Sequence, residues 1–461
     1  MFKIFNYLCA LTKIETMKIP KRAVMTLEAR NFFNQFLHNE SIGGILLLIC
    51  AIISLVCANV PSLEFLHEFW HKEAGITVGD FSLTMKIEHW INDGLMAIFF
   101  FVVGLEIKRE MLVGELSSFK HAALPIFAAV GGMVVPAIIY FIFNNGTPSV
   151  SGWGIPMATD IAFALGILSL LGKSVPVGLK VFLTALAIVD DLGAIVVLAI
   201  FYPTHALHFD MLLYAAIVVA FLMLLNRNKV HNVLLYVIPG LLLWWLILQS
   251  GIHATIAGVI LALTIPSKTV INEVKFWVRV KYLLGKFKEE SNSEIAVLAN
   301  PKQQYIIHQI DRHVQEINPL MHKFESALHP WTTFFVMPIF ALANSGVEIT
   351  LDRFTAPIPP VAAGIFFGLF LGKPIGIFLF SLLSVKMRIA ELPQGIKWKQ
   401  IWALGMIAGI GFTMSIFIDS LAFKDIDLIN LGKATILITS TLAAILGLLA
   451  MVVTCRKDTN N

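Results

Sequence analysis

Apolar stretches long enough to cross a lipid bilayer recur along most of the chain, separated by more polar segments. A helix crosses the hydrocarbon layer in about 17–25 residues. The pattern therefore predicts twelve membrane-spanning helices, with the weakest boundaries in the region 210–251. The predicted spans are 41–60, 89–107, 121–143, 153–171, 177–201, 210–225, 233–249, 251–266, 330–346, 359–385, 400–422 and 431–454.

The composition agrees with a chain embedded in lipid. Of the 461 residues, 57% are hydrophobic and 14% are charged, and the mean hydropathy is +0.80. Soluble domains carry roughly 25% charged residues, so this chain cannot cover its surface with polar groups in water. The predicted fold class is an all-α polytopic membrane protein. The net charge of +4 gives no reason to expect a nucleic-acid partner.

Lys and Arg residues are concentrated in every second connection between the predicted spans. Because cytoplasmic connections carry the excess of these residues, the pattern places both termini in the cytoplasm. Residues 1–40 are basic and lack the apolar core and cleavage pattern of a signal peptide. The predicted organisation continues with spans 1–8 over 41–266, a cytoplasmic insertion over 267–328, spans 9–12 over 329–454 and a tail over 455–461. The four cysteines are too scattered for a disulfide framework, and we expect them to be reduced.

Two connections have features of their own. Around Gly79-Asp80, β-branched or apolar residues alternate with polar ones, which predicts an external hairpin near 75–86. Its edge could pair with a second copy to form a homodimer, and an ordered loop is the alternative. The insertion at 267–328 has mixed charge, and it is either a helical pair or partly disordered.

A few ionisable residues fall inside the apolar spans, where each costs at least about 2.5–3.5 kcal/mol on insertion scales. Such residues usually face a polar cavity or a charged partner rather than lipid. They are Asp93, Asp160, Asp190, Asp191, His253 and Lys373. For Asp93, near the predicted external surface, a capping role is the preferred interpretation.

Asp190 and Asp191 lie side by side in the middle of a span. Consecutive helical residues point about 100° apart, so one carboxylate can face a cation pathway while the other faces a neighbouring helix. Carboxyl groups that are kept from water and lie beside a like charge hold their protons up to a higher pH. Hard cations prefer oxygen ligands. The pair therefore predicts a site where protons and a cation compete for the same oxygens, and capping or helix-packing acids are the alternative.

Two other spans carry candidate residues for the same site. Pro156 removes a backbone donor just before Thr159 and Asp160, and an interrupted helix can expose backbone groups to an ion; an ordinary N-cap is the alternative. Lys373 lies mid-span next to Gly372, which belongs to a ridge of glycines four residues apart that lets another helix approach closely. We expect it to pair with Asp190 or Asp191, unless it extends to the membrane surface.

The span at 400–422 is broken by glycines and carries hydroxyl groups, as the span at 153–171 does. Each is the middle of three consecutive predicted spans. Interrupted segments at corresponding positions of two inverted repeats indicate a transport site near the midplane of the membrane.

Several motifs resemble those of the NhaA-type sodium/proton antiporters. The resemblance covers about 89–266 and about 325–423, and its matches follow one another in the same order. The motifs are Trp90–Asp93, Gly104–Glu110, Ala158–Gly166, Ala187–Ala194, Gly251–Thr255, Leu328–Trp331, Gly372–Pro374 and Gly411–Phe417.

This resemblance implies a secondary transporter of the bacterial inner membrane rather than an enzyme. The transporter would need no cofactor. It would exchange cytoplasmic Na+ or Li+ for external H+, with more protons than cations per cycle and activation at alkaline pH. Asp191 would be the main cation ligand, with Asp190 at the same site and paired to Lys373 when no cation is bound. Thr159 and Asp160 would line the crossing of the two interrupted helices.

The resemblance also implies a pH-responsive region on the cytoplasmic side, formed by Glu106, Lys108, Glu110 and Glu325. His253 is a further candidate because histidine titrates in the right range, and a structural role, which is more usual for a lone histidine at the membrane edge, is the alternative. Two features depart from the family pattern. The insertion at 267–328 is longer than the expected loop, and Asp419 places an acid where a small neutral residue is expected.

Three other functions compete with the antiporter as interpretations of the sequence. A proton-coupled carrier of another cation or of a small organic ion is the main alternative. An intramembrane aspartyl protease would need two aspartates on separate helices in a Gly-Asp setting, and the only Gly-Asp pair is Gly79-Asp80 in the predicted hairpin. A structural or signalling membrane protein would not need Asp190, Asp191 and Lys373 inside the bilayer.

Overall fold

Helices make up nearly all of the computed structural model, which describes residues 40–78, 81–203, 205–291, 300–348, 358–393 and 395–456. Three of the membrane helices contain a single π-helical turn, at Trp90–Leu95, Thr332–Val336 and Gly368–Gly372. The helices are α1 (Glu40–Asn59), α2 (Glu64–His71), α3 (Ile87–Val113), α4 (Phe119–Asn144), α5 (Ile161–Ser169), α6 (Val177–Phe201), α7 (Phe209–Arg227), α8 (Leu234–Ser250), α9 (Thr255–Thr264), α10 (Glu273–Glu289), α11 (Pro301–Ile317), α12 (Leu320–Asn344), α13 (Pro360–Lys386), α14 (Trp398–Ala408), α15 (Phe412–Ala422) and α16 (Ile426–Arg456). Segments of 3₁₀ helix lie at Pro61–Leu63, Glu115–Ser117, Pro148–Met157 and Gly172–Ser174.

The described helices account for all twelve predicted spans. Eight are long and apolar enough to cross a membrane alone, namely α1, α3, α4, α6, α7, α12, α13 and α16. Two pairs are bent at a short break: the 3₁₀ segment Pro148–Met157 and α5 by 42°, and α14 and α15 by 48°. The shorter apolar helices α8 and α9 match the remaining two predictions. The all-α polytopic fold with two interrupted helices is confirmed.

A small two-stranded sheet lies between α2 and α3. Strands β1 (Glu73–Val78) and β2 (Phe81–Lys86) pair antiparallel, with Glu73 opposite Lys86 and Val78 opposite Phe81. The predicted turn, Gly79-Asp80, lies outside the described residues. Trp90 of α3 donates a hydrogen bond from Nε1 to the Ala74 carbonyl at 2.8 Å, which ties the sheet to the start of that span. Pairing of its edge with a second copy stays a prediction.

The described part of the insertion at 267–328 is mostly helical, with short non-helical connections such as residues 267–272. Its two helices, α10 and α11, pack against each other, and residues 292–299 lie outside the described part. The span that follows begins at Leu320, earlier than the predicted start at residue 330. Its first turns are amphipathic, with Leu320 and Met321 buried beside the exposed His322. Their mixed polarity hides this part of the helix from a search for purely apolar runs.

The predicted glycine ridge on α13 packs against α4. A Cβ atom on Gly376 would lie 2.1 Å from the carbonyl oxygen of Gly131, and one on Gly372 would lie 2.9 Å from the Cα of Pro136. Only glycine lets the two backbones approach this closely. The contact fixes the rotation of α13 and turns the neighbouring Lys373 into the interior, where it is fully buried.

Candidate functional site

The breaks of the two bent pairs meet in the interior of the protein. The backbone N–H of Asp160, in the first break, donates to the carbonyl of Ile410 in the second at 2.8 Å. The hydroxyl oxygen of Thr159 lies 3.0 Å from the carbonyl oxygen of Ala408, at the end of α14. The interruptions predicted from Pro156 and from the glycines at 405–411 therefore lie at one crossing point.

Asp160 holds this crossing together because it caps two helices at once. Its Oδ1 accepts from the N–H of Phe163 at 3.0 Å, as the N-cap of α5. Its Oδ2 accepts from the N–H of Thr413 at 3.1 Å, in the first turn of α15, and from the Thr413 hydroxyl. Both helix N-termini present partial positive charge to this buried carboxylate. The N-cap interpretation thus describes the geometry, but the cap is fully buried.

Lys373 lies directly after the π-helical turn Gly368–Gly372 and points into the same crossing. Its Nζ forms an ion pair with Oδ2 of Asp190 and donates to the Thr159 hydroxyl oxygen at 2.9 Å. The side chains of Lys373 and Asp190 are both 0% exposed. A buried ammonium group needs a counter-ion, and of the two predicted partners the structure places Asp190 in contact with it.

Asp190 and Asp191 occupy the middle of α6 and are both buried. Oδ2 of Asp190 lies 2.7 Å from the Thr159 hydroxyl oxygen. Oδ1 of each aspartate accepts no hydrogen bond from any residue that the structure describes. The crossing therefore places two carboxylates, each with an oxygen free to bind, beside one buried cation.

The pH-response candidates fall into separate groups, and Arg109 is the centre of the main one. This arginine pairs with Glu325 at the start of α12, with Glu110 at 3.2 Å and with Glu106 at 4.0 Å. The group is linked to the crossing by packing, because the buried side chains of Val103, Ile107 and Ile188 hold α3 against α6.

Lys108 and His253 lie apart from this acidic group and from each other. Lys108 donates to the carbonyl of Leu263 at 2.7 Å, at the end of α9. His253 is buried just before the start of α9. Since α9 has 10 residues, these positions are separated by about 15 Å along its axis. Of the candidates, the structure brings together only Glu106, Glu110 and Glu325.

Thr413 and Arg109 were not among the predicted site residues. Thr413 stands in a motif that was recognised, after the glycines of the second break, and its role as a donor to Asp160 depends on the crossing. Arg109 stands between Lys108 and Glu110, and the charge pattern of Glu106–Glu110 could have suggested two of its acidic partners, whereas Glu325 lies 216 positions away. Asp419 is fully buried in α15, and neither of its carboxylate oxygens accepts a hydrogen bond from a described residue.

Comparison with known proteins places the chain in a family. The family model described as Na+/H+ antiporter 1 matches residues 34–451. The chain belongs to this family. The matched range contains both interrupted helices and every residue of the crossing.

Three members named Na(+)/H(+) antiporter NhaA illustrate the similarity across the Na+/H+ antiporter 1 family. The one from Wolinella succinogenes is 46% identical over 421 residues, which is 91% of this chain and 93% of that protein. The one from Oleidesulfovibrio alaskensis is 47% identical over 424 residues, covering 92% and 94%. The one from Helicobacter acinonychis is 47% identical over 427 residues, covering 92% and 96%. The similarity extends over nearly the full length of each protein, and it supports the resemblance seen in the motifs.

Proposed function

We propose that the protein is a secondary antiporter that exchanges cytoplasmic Na+ or Li+ for external H+ at Asp190 and Asp191. The observation that carries the proposal is the buried Lys373–Asp190 pair at the crossing of two interrupted helices, next to the free oxygen of Asp191. Membership in a family of Na+/H+ antiporters supports the same exchange. As an antiporter it forms no covalent intermediate.

The cation would be held by carboxylate oxygens together with neutral oxygens. Among the described residues, no group of three or more His, Cys, Asp and Glu side chains could hold a metal ion. Asp190 and Asp191 would supply the negative charge, and the Thr159 hydroxyl oxygen, which already contacts Asp190, would supply a neutral ligand. Hard cations accept such oxygen sets. A site with few charged ligands can release its ion again, as transport requires.

Exchange would follow from competition for these oxygens. In the cation-free state Lys373 neutralises Asp190, and Asp191 carries a proton. A Na+ ion that binds both carboxylates displaces the proton from Asp191. It also breaks the ion pair between Asp190 and Lys373, and the unpaired Lys373 ammonium group can then release a proton. Two protons leave for each cation bound, so the full cycle moves net charge. Return of the protons from the external side restores the pair and expels the cation.

Asp160 would position the crossing rather than carry ions. Its two carboxylate oxygens already accept hydrogen bonds from α5 and α15, so it holds the N-termini of both half-helices next to Thr159. This leaves Thr159, Asp190, Asp191 and Lys373 as the residues in contact with the transported ions.

Regulation by pH would start at the group around Arg109 on the cytoplasmic side. Loss of charge on Glu325, Glu110 or Glu106 would weaken their hold on Arg109, and the packing of α3 on α6 would transmit the change to the crossing. His253, at the other end of α9, would be a separate sensor. With the termini in the cytoplasm, the β1–β2 hairpin would be external and available for contact with a second copy in the inner membrane.

The proposal is tested by fluorescence dequenching of an imposed pH gradient in everted membrane vesicles. Addition of Na+ or Li+ should collapse the gradient, and Asp191→Asn should abolish the response. Asp210→Asn, on the exposed first turn of α7, is the matched control and should behave as the natural protein. If choline or another organic cation collapsed the gradient equally well, the carrier would act on a different ion and the proposal would be wrong.

A further inference from the structure

The cytoplasmic helix α10 has two apolar faces, and the described residues cover only one of them. The inner face consists of Phe276, Val280, Leu283 and Phe287, which are half-buried and recur every three or four residues. This face packs against α11. The pair is held further by a bond from the Val270 N–H to the Glu316 carbonyl at 3.0 Å. The inner face therefore explains the stability of the helical pair.

The outer face carries large side chains that no described residue covers. Val274, Trp277, Val278 and Tyr282 follow the helical repeat, and each is between 60% and 71% exposed. Trp277, Tyr282 and Gly285 share one shallow groove on this surface. Monomeric proteins seldom expose such a contiguous apolar stripe unless it binds a partner or a membrane.

Basic residues accompany the outer face. The helix carries five basic residues, Lys275, Arg279, Lys281, Lys286 and Lys288, against the acidic Glu273 and Glu289. Around the helix axis, Lys281 points between the directions of Trp277 and Val278 and so lies within the stripe. Lys286 lies at its border, with its Nζ 4.9 Å from the centre of the Tyr282 ring. Aromatic side chains beside lysines are typical of helices that lie in the interface of an anionic bilayer.

The helix also lies within reach of the membrane surface. Residue 265, just after α9, is fully buried in the membrane-spanning part. The Pro266 carbonyl then accepts from the Met321 N–H at 3.3 Å, at the start of α12. From Pro266 to Glu273 an extended chain covers at most about 25 Å. The start of α10 is thus confined near the ends of two spans, where lipid headgroups are available.

We propose that α10 rests its outer face on the cytoplasmic surface of the bilayer and binds anionic lipid headgroups there. The apolar stripe enters the interface, and Lys275, Lys281 and Lys286 contact the phosphates. Charge complementarity favours this occupant over a second copy, because two copies would bring basic stripes together. The α10–α11 pair leads directly into α12, so this contact would also steady the segment that carries Glu325.

Hydrogen exchange of the full-length protein in lipid nanodiscs tests the proposal independently of transport. The α10 amides should exchange several-fold more slowly in phosphatidylcholine mixed with phosphatidylglycerol than in phosphatidylcholine alone. Trp277→Ser/Lys281→Gln should abolish the difference. The control Tyr305→Ser/Lys302→Gln also replaces an aromatic residue and a lysine, on exposed positions of α11, and should preserve the difference.

High salt should reduce the difference, because screening weakens attraction to a charged surface. Equal exchange in both lipids would overturn the proposal. Protection that rises with the number of copies per nanodisc, irrespective of lipid charge, would also overturn it and would assign the face to a second copy. Sodium/proton exchange by the natural protein does not enter the readout, so failure here leaves the proposed transport function untouched.

Discussion

Lys373 and Asp190 form an ion pair in which neither side chain has any exposed surface, although 183 positions separate them in the sequence. The Thr159 hydroxyl is the third member of the group, 2.9 Å from the Lys373 Nζ. Taking two charges out of water is costly unless they satisfy each other. The pair therefore makes the crossing sensitive to the loss of either charge.

Removal of Lys373 should destabilise the protein unless Asp190 is neutralised as well. Lys373→Met leaves Asp190 as an uncompensated buried charge, and we expect a loss of about 3–5 kcal/mol in the free energy of unfolding. Lys373→Met/Asp190→Asn should recover most of it. Thermal unfolding in detergent measures the effect, with the exposed Lys386→Met as control. Additive effects of the two changes would contradict the pairing.

Loss of the Thr413 hydroxyl should loosen the crossing. Thr413→Val keeps the backbone donor to Asp160 but removes the side-chain donor, which should cost about 1–3 kcal/mol and slow Na+-dependent proton release. Thr439→Val is the control, since the Thr439 hydroxyl is equally buried and bonds to the Thr435 carbonyl in its own helix. Similar transport rates in the two variants would argue against a role of Thr413 at the crossing.

The close contact of α4 and α13 should not tolerate a side chain. In Gly376→Ala the Cβ would meet the Gly131 carbonyl oxygen at 2.1 Å, and overpacking of this kind costs about 1–3 kcal/mol or more. Gly285→Ala in α10 has nothing within 4 Å of its new Cβ and should be neutral or stabilising by up to about 1 kcal/mol. Melting temperatures of the two variants provide the comparison. A stable Gly376→Ala protein would show that the helices can separate without loss.

Asp419 and Gly432 should show steric coupling. A Cβ on Gly432 would lie 2.0 Å from the Asp419 Oδ1, so Gly432→Ala should destabilise the packing of α15 on α16. Because the obstacle is the carboxyl group, Asp419→Ala/Gly432→Ala should be more stable than Gly432→Ala alone. A double-mutant cycle of unfolding temperatures measures this coupling. A double variant less stable than either single variant would rule out the steric explanation.

The α10–α11 pair should weaken in acid. The His313 hydrogen bond and the nearby Arg312 charge lower the pKa of Glu316, and Arg279 of α10 pairs with the same carboxylate at 3.5 Å. The ionised group therefore contributes stability above the ordinary glutamate pKa of about 4.3, and this contribution is lost as the pH falls through the lowered value. Exposed pairs are worth roughly 0–1 kcal/mol, so the effect should be small.

Distances between spin labels on α10 and α11 can measure this weakening of the helical pair. Glu316→Gln should broaden the distance distribution at neutral pH. It should match the natural protein in acid, where the protonated Glu316 carboxyl is as uncharged as glutamine. Glu289→Gln, on an exposed position of α10, should have no effect at either pH. A difference between Glu316→Gln and the natural protein that persisted in acid would exclude the carboxylate as its cause.

Much of the fold follows from local sequence. The length of each apolar run, Pro156 in one span and the glycines around 409 in another locate the spans and their two interruptions without knowledge of their neighbours. Asp190, Asp191 and Lys373 can also be identified as candidate site residues from the sequence alone, because the free-energy cost of a charge in lipid depends on its position in a span. The start of α12 was missed for a related reason, since an amphipathic turn does not register as an apolar run.

Only the tertiary structure decided which of these residues meet. Whether Lys373 pairs with Asp190 or Asp191 depends on the rotation of α6 and α13, and that rotation is set by contacts such as Gly131 with Gly376. The double cap by Asp160 likewise needs two half-helices from distant parts of the chain. Hydropathy and helical spacing describe each segment alone, whereas partners far apart in sequence are chosen by how the helices pack.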